Sequence, residues 1–303
     1  MEASSLQPLL RRTEEPWRAR LAALTGHLLI ALIALVAIGG ATRVMQAGLA
    51  CPDWPLCFGS LLPGRQMNLQ VFLEWFHRLD AFVVGVAVLV LTAASWLNRR
   101  LLPAWLPAVA LATLLLVAAQ GGLGALTVIQ LLPFGVVTAH LGTALLLVAL
   151  VSGCHQGLLV APAAPLPRWW AWLTPAATAL VFAQCLLGGL MASQWAAGRC
   201  FSSGFGCAWL SAHRMFASPA ALAVLLVAVL AWWRLPTERS LSGLAVLLVI
   251  LQMGLGIVSL RLSLTQPGLT VAHQITAALL VAVLSGLTAR SWRGQSGLEV
   301  SHG

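Results

Sequence analysis

The sequence predicts an all-α polytopic membrane protein, with eight transmembrane helices arranged as two pseudo-symmetric four-helix bundles. Three observations carry that expectation. Of 303 residues, 60% are hydrophobic and only 8% charged, with a mean hydropathy of +0.91; a soluble domain carries about 25% charged residues. The apolar residues fall in runs long enough to cross a bilayer, about 20 residues each, where the backbone must satisfy its polar groups within helices. The last four runs also repeat the landmarks of the first four.

The runs lie at about 21–44, 72–97, 104–128, 134–158, 169–193, 211–233, 240–262 and 269–289. The first follows a polar, Arg-rich start and is followed by no small-residue cleavage site, so it reads as a span and not a removable signal. It carries Gly39-Gly40, which returns in the fifth run as Gly188-Gly189. His77-Arg78 of the second returns as His213-Arg214 of the sixth. Gln120-Gly-Gly-Leu-Gly124 of the third matches Gln252-Met-Gly-Leu-Gly256 of the seventh, and Thr138-Ala-His140 of the fourth matches Val271-Ala-His273 of the eighth. Residues 1–160 and 169–303 are therefore expected to be two halves of like topology, joined by the Pro-rich stretch 161–167. Four spans return each half to its starting side, which makes the repeat parallel. Its glycines allow close helix contact.

The net charge of +9 comes from arginine alone, for the chain has no lysine. These arginines flank the apolar runs and form no patch, which excludes nucleic acid as the partner and leaves the lipid bilayer. Eleven lie on the side of the N-terminus (Arg11, Arg12, Arg18, Arg20, Arg99, Arg100, Arg168, Arg234, Arg239, Arg290, Arg293) and four on the other (Arg43, Arg65, Arg199, Arg261). The bias predicts that both termini are cytoplasmic and that the four repeated histidines lie towards the outer leaflet.

Histidine within a bilayer is costly and points to function. His77 and His140 open the even-numbered spans of the first half, and His213 and His273 those of the second. Two helices entering from one face at equal depth can present imidazoles to one metal from opposite sides, as a haem iron requires. Zinc would need four nitrogen or sulfur ligands, and a di-iron site several glutamates. His27, His155 and His302 have no repeat partner and read as packing or surface residues.

The halves differ beside these ligands. Glu74-Trp-Phe-His77-Arg78-Leu-Asp80 aligns with Leu210-Ser-Ala-His213-Arg214-Met-Phe216. Glu74 and His77 share a helix face, so the carboxylate can serve proton transfer; alternatively it caps the helix or hydrogen-bonds an imidazole. The asymmetry assigns chemistry to the first half and electron transfer to the second. Arg78 and Arg214 suit haem propionates, with snorkelling to headgroups as the plain alternative. Asp80 can act as an acceptor behind His77 or face Arg78. Cys51/Cys57 and Cys200/Cys207 lie in outer loops on the oxidising side, which predicts two intra-loop disulfides. These either staple the loops or exchange electrons with the site below. Cys154 and Cys185 read as small apolar fillers.

The stretch from Gly39 through Cys51-Pro-Asp-Trp-Pro-Leu-Cys57, then Glu74-x-x-His77-Arg78, then Thr138-Ala-His140-Leu, resembles the haem A synthase family over nearly the whole chain, from about Leu21 to Arg290. That resemblance implies a membrane oxidoreductase. It oxidises a ring methyl of haem O to a formyl group by two hydroxylations, and the geminal diol then loses water. It implies substrate haem O between His77 and His140, haem b between His213 and His273, and Glu74 as the essential acid. The paired cysteines imply a member from a bacterial cell membrane. Haem O synthase and an electron donor are the implied partners, and a homo-oligomer is left open. The rival expectations are a diheme electron-transfer cytochrome, which needs no acid beside one haem only, and a haem-delivery protein for oxidase assembly.

Overall fold

A computed structural model describes residues 3–159, 166–196 and 208–299, with side chains over 16–159, 166–193 and 208–292. The elements are α1 (Ala3–Val44), α2 (Leu69–Leu97), α3 (Leu106–Ile129), α4 (Phe134–Leu159), α5 (Arg168–Ala196), α6 (Ala208–Arg234), α7 (Arg239–Arg261) and α8 (Pro267–Glu299). Among the described residues no strand occurs, and all eight helices are long and apolar enough to cross a membrane. The chain is a multi-pass membrane protein.

The expected spans are recovered, and the two outermost helices run further than expected. α1 starts at Ala3 and not near 21, and α8 continues to Glu299 and not to about 289. The apolar window marks only the stretch that lipid requires. Outside it the chain is rich in Leu, Arg, Gln and Glu, which are good helix formers in water.

α1 packs on α2 and α4, and α3 joins α2 to α4. In the same way α5 packs on α6 and α8, and α7 joins α6 to α8. The two rings meet through α4 on α8, with α1 on α8 and α4 on α5 beside it. Helices α1, α4, α5 and α8 therefore form the centre, and α2, α3, α6 and α7 lie outside. The outer helices carry large exposed apolar side chains, such as Phe82, Leu115, Leu222 and Leu247, as a lipid-facing surface must.

Two buried cores follow this plan. One gathers Leu28, Leu32, Val88, Leu106, Leu145 and Val148 with Ala278 and Ala282 of α8. The other gathers Trp170, Val224, Val227, Val281, Leu284 and Leu287. Lipid is as apolar as these side chains, so close contact and hydrogen bonds hold the seam more than the hydrophobic effect does. Ser152 Oγ donates to the Ala282 carbonyl at 2.6 Å, and Thr138 Oγ1 meets Ser193 Oγ at 3.4 Å. A Cβ at Gly142 would lie 2.9 Å from Leu186 Cδ2, and one at Gly153 would touch the Cβ of Ala289 at 3.5 Å.

At the end of the bundle near the N-terminus, an ion pair with a buried carboxylate ties α8 to the turn before α7. Arg290 Nε donates to Glu238 Oε2 at 2.9 Å, and Nη2 donates to Oε1 at 3.0 Å and to the Thr237 carbonyl at 3.1 Å. Glu238 is 2% exposed. Removing one partner strands a buried charge, so Arg290→Ala should destabilise by about 3 kcal/mol, while Glu238→Leu with Arg290→Met should stay near the parent. Thermal unfolding in detergent checks both.

Candidate functional site: two histidine pairs and a disulfide loop

The chain builds its site from four helical hairpins of one design. The odd helix of each carries a glycine near its end, and the even helix carries a histidine one to two turns inside its start. A Cβ at Gly39 would lie 2.9 Å from His77 Cε1, and one at Gly188 would lie 2.9 Å from His213 Cε1. The corresponding distances are 3.4 Å for Gly124 to His140 and 3.0 Å for Gly256 to His273. Each imidazole thus occupies the space where its partner helix lacks a side chain. Any larger residue at Gly39, Gly188 or Gly256 would have to displace the ring.

The four rings come together in two pairs. His77 and His140 have ring centres 6.4 Å apart at an interplanar angle of 69°, and His213 and His273 have theirs 6.5 Å apart at 81°. A metal bonded to two imidazoles on opposite sides at about 2 Å each holds the ring centres about 6 Å apart. Among the described residues no group of three or more His, Cys, Asp or Glu is placed to hold a metal ion. Two donors per site suit a metal that brings its own equatorial ligands, as an iron porphyrin does.

Three of the four histidines also meet a glutamine four residues before the hairpin glycine, on the same helix face. Gln120 Nε2 lies 3.3 Å from His140 Nε2, and Gln252 Nε2 lies 3.2 Å from His273 Nε2. Gln184 Nε2 meets His213 Nδ1 at 3.0 Å and donates to the His213 carbonyl at 2.7 Å. His273 Nδ1 lies 3.0 Å from the Gln252 carbonyl. A carbonyl only accepts, so Nδ1 carries the proton and the Nε2 lone pair accepts from the Gln252 amide, which would turn away for a metal to bind there. In the first hairpin the glutamine's place is taken by Leu35.

One family of known proteins matches this arrangement. Residues 22–285 match the cytochrome oxidase assembly protein family. The chain belongs to that family. It is similar to the haem A synthase of Sphingopyxis alaskensis, with 30% identity across 89% of this chain and 91% of that one. It is also similar to the haem A synthases of Shewanella oneidensis (29% identity, 88% and 96% covered) and Caulobacter vibrioides (29%, 86% and 92%).

In this family member, the acid beside the first histidine pair is tied to the loop above it. Cys51 and Cys57 form the expected disulfide, with Cα atoms 4.8 Å apart. Cys51 N–H donates to Glu74 Oε2 at 2.8 Å, and Arg78 Nη2 pairs with Glu74 Oε1. Arg78 also donates to the Asp53 carbonyl at 2.6 Å and to the carbonyl of Leu56. The sequence suggested a propionate or a headgroup for Arg78. The structure instead directs its fork to Glu74 and the loop backbone. Glu74 is buried, and it neither caps α2, whose N-cap is Asn68, nor hydrogen-bonds an imidazole. The loop closes on itself through Asp53, which accepts from Phe58 N–H at 2.6 Å and Gly59 N–H at 2.8 Å.

The other expectations divide. Arg214 is exposed and makes no hydrogen bond or ion pair among the described residues. Asp80 is half-buried and pairs with neither Arg78 nor His77. Cys200 and Cys207 lie outside the described residues, as does His302. Cys154 and Cys185 are free thiols within α4 and α5. His155 packs between α4 and α1, with Nδ1 2.9 Å from the Ala22 carbonyl and Cε1 against Gly26. Sequence reasoning missed the glutamines as partners of the histidines. The Gln-x-x-x-Gly spacing in α3, α5 and α7 was the available signal.

Two outcomes follow. Gly188→Ala should displace His213 and weaken haem retention in the second half, while Gly254→Ala, whose Cβ would meet open space, should not. Pigment per purified chain measures this. The amide of Gly59, and then that of Phe58, holds the Asp53 carboxyl below the usual carboxylate range. Its contribution to the loop is therefore complete above the unfolded pKa of about 3.9 and is lost as pH falls through the lowered value. Amide exchange at Phe58 and Gly59 should stay slow past that point and then rise, and Asp53→Asn should remove this acid limb.

Proposed function

We propose that the chain converts haem O to haem A, with substrate held between His77 and His140 and haem b held between His213 and His273. The observation that carries this reading is two like histidine pairs with a buried acid, Glu74, beside only one of them, where the other half has Leu210. When bound, the haem b supplies a one-electron relay. The chain's own residues do the rest.

His77 and His140 hold the substrate iron, which fixes the porphyrin and hence its ring methyl in the first half. Each hydroxylation is a two-electron oxidation of that carbon that replaces one C–H bond by C–OH, with dioxygen as oxidant: one oxygen atom enters the product and the other leaves as water after taking up two electrons from the donor and two protons. The geminal diol then loses water to leave the formyl group. Glu74 uses one acceptor position on each oxygen for Arg78 and the Cys51 N–H. A carboxylate has about four such positions, so it keeps capacity to accept a proton. Its ion pair fixes it one turn from His77, and its bond to Cys51 ties it to the disulfide loop. Arg78 serves as the loop's anchor, and Arg214 remains the arginine free to meet a propionate in the second half. We assign both termini to the cytoplasmic side from the arginine bias.

Supplying haem O to a host that lacks haem A, then extracting and chromatographing the pigments, tests the function. The parent chain should yield haem A or its hydroxymethyl precursor. Glu74→Gln keeps the shape and one acceptor oxygen but loses the charge, and should lower the yield on the order of 100-fold while haem B stays. Haem B alone, at two per chain, would instead support an electron-transfer cytochrome.

A further inference from the structure

We infer that Arg43 forms the carboxylate-binding site for a propionate of the porphyrin in the first half, an inference that rests on the reading of His77 and His140 as its ligands. Arg43 lies in the last turn of α1, four residues after Gly39, so the two share a helix face. Gly39 is the residue against which His77 lies. Arg43 therefore starts from the face that carries the histidine contact, one turn nearer the disulfide loop.

The charge there has no counter-ion among the described residues. The ion pairs among the described residues are Glu74 with Arg78 and Glu238 with Arg290. Arg43's hydrogen bond is from Nη2 to Gln274 Oε1 at 3.2 Å, and the acceptor is neutral. The residue keeps some accessible surface, but its guanidinium is crowded away from solvent. A cation so placed in an apolar bundle is costly unless an anion meets it. A guanidinium offers five donors, and most of Arg43's are not spent on protein.

Gln274 sets its direction. It follows the ligand His273 on α8 and lies along α1, where a Cβ at Gly40 would meet its Oε1 at 2.7 Å and its Nε2 donates to the Val36 carbonyl at 3.4 Å. The repeat contains the same crossing without the charge. Gly189 of α5 faces Leu141, the residue after His140, and the position matching Arg43 is Ala192. Arg43 and Gln274 are thus polar replacements confined to one of two equivalent places. A porphyrin with two propionates supplies the missing anion, and the fork of arginine matches a carboxylate.

The test compares iron protoporphyrin IX with its dimethyl ester. Purified full-length protein that already carries its second-half haem is titrated with each, and the Soret band is followed. The parent should bind the diacid about tenfold or more tightly than the ester, as expected for a charged hydrogen bond. Arg43→Met should lose that preference while binding the ester as the parent does, and Arg43→Lys should keep part of it. No preference in the parent, an undiminished preference in Arg43→Met, or equal loss of both ligands would each overturn the inference. An anion from lipid phosphate would also give no preference. If His77→Ala titrates like the parent, the assignment of the first-half pair fails instead, and the inference falls with it.

Discussion

The contact between a glycine on one helix and an imidazole on the next sets the rest of the arrangement. Within a bilayer the helix must satisfy its own backbone, so the chain's freedom lies in how closely helices approach and what fills the gap. At Gly39, Gly124, Gly188 and Gly256 the gap is filled by a histidine ring. That fixes the depth of each ring and turns it inward. Four repetitions give two pairs with almost equal separations, 6.4 and 6.5 Å. The central layer of α1, α4, α5 and α8 then holds the pairs apart in two rings of helices.

Much of this was legible from the chain. The spans show because lipid demands long apolar runs, and the repeat shows because the same glycines and histidines serve the same contact twice. The ends of α1 and α8 were not legible, since helix continues past the point where lipid stops demanding apolar residues. The glutamines were visible as a spacing, but their role depends on how α3 faces α4 and how α7 faces α8, which the sequence does not state. The contacts of Arg78 were hidden for a similar reason. Besides Glu74, its acceptors are backbone carbonyls of the loop, and no residue type announces a carbonyl.

The loop also changes how Glu74 should be understood. An acid one turn from a metal ligand suggests proton transfer, and the carboxylate retains the means for it. In the structure it is equally the link between the disulfide loop and α2. One oxygen holds the Cys51 amide and the other holds Arg78, whose remaining donors grip the carbonyls of Asp53 and Leu56. The loop's shape and the acid's position are therefore one property. A change in the Cys51–Cys57 bond would be felt at Glu74 through a single hydrogen bond.

The departures from symmetry converge on His77. The other three histidines each meet a glutamine amide, whereas Leu35 stands in that place beside His77. His77 packs against Gly39, on a helix start that the loop secures through Glu74 and Arg78. An outer partner that accepts the imidazole proton raises a ligand's basicity and fixes its ring. His273 has such a partner in the Gln252 carbonyl. A resident cofactor needs fixed ligands, while a substrate must enter and leave. The histidine without a glutamine lies in the half that carries Glu74, in keeping with the proposal that the exchangeable porphyrin binds there.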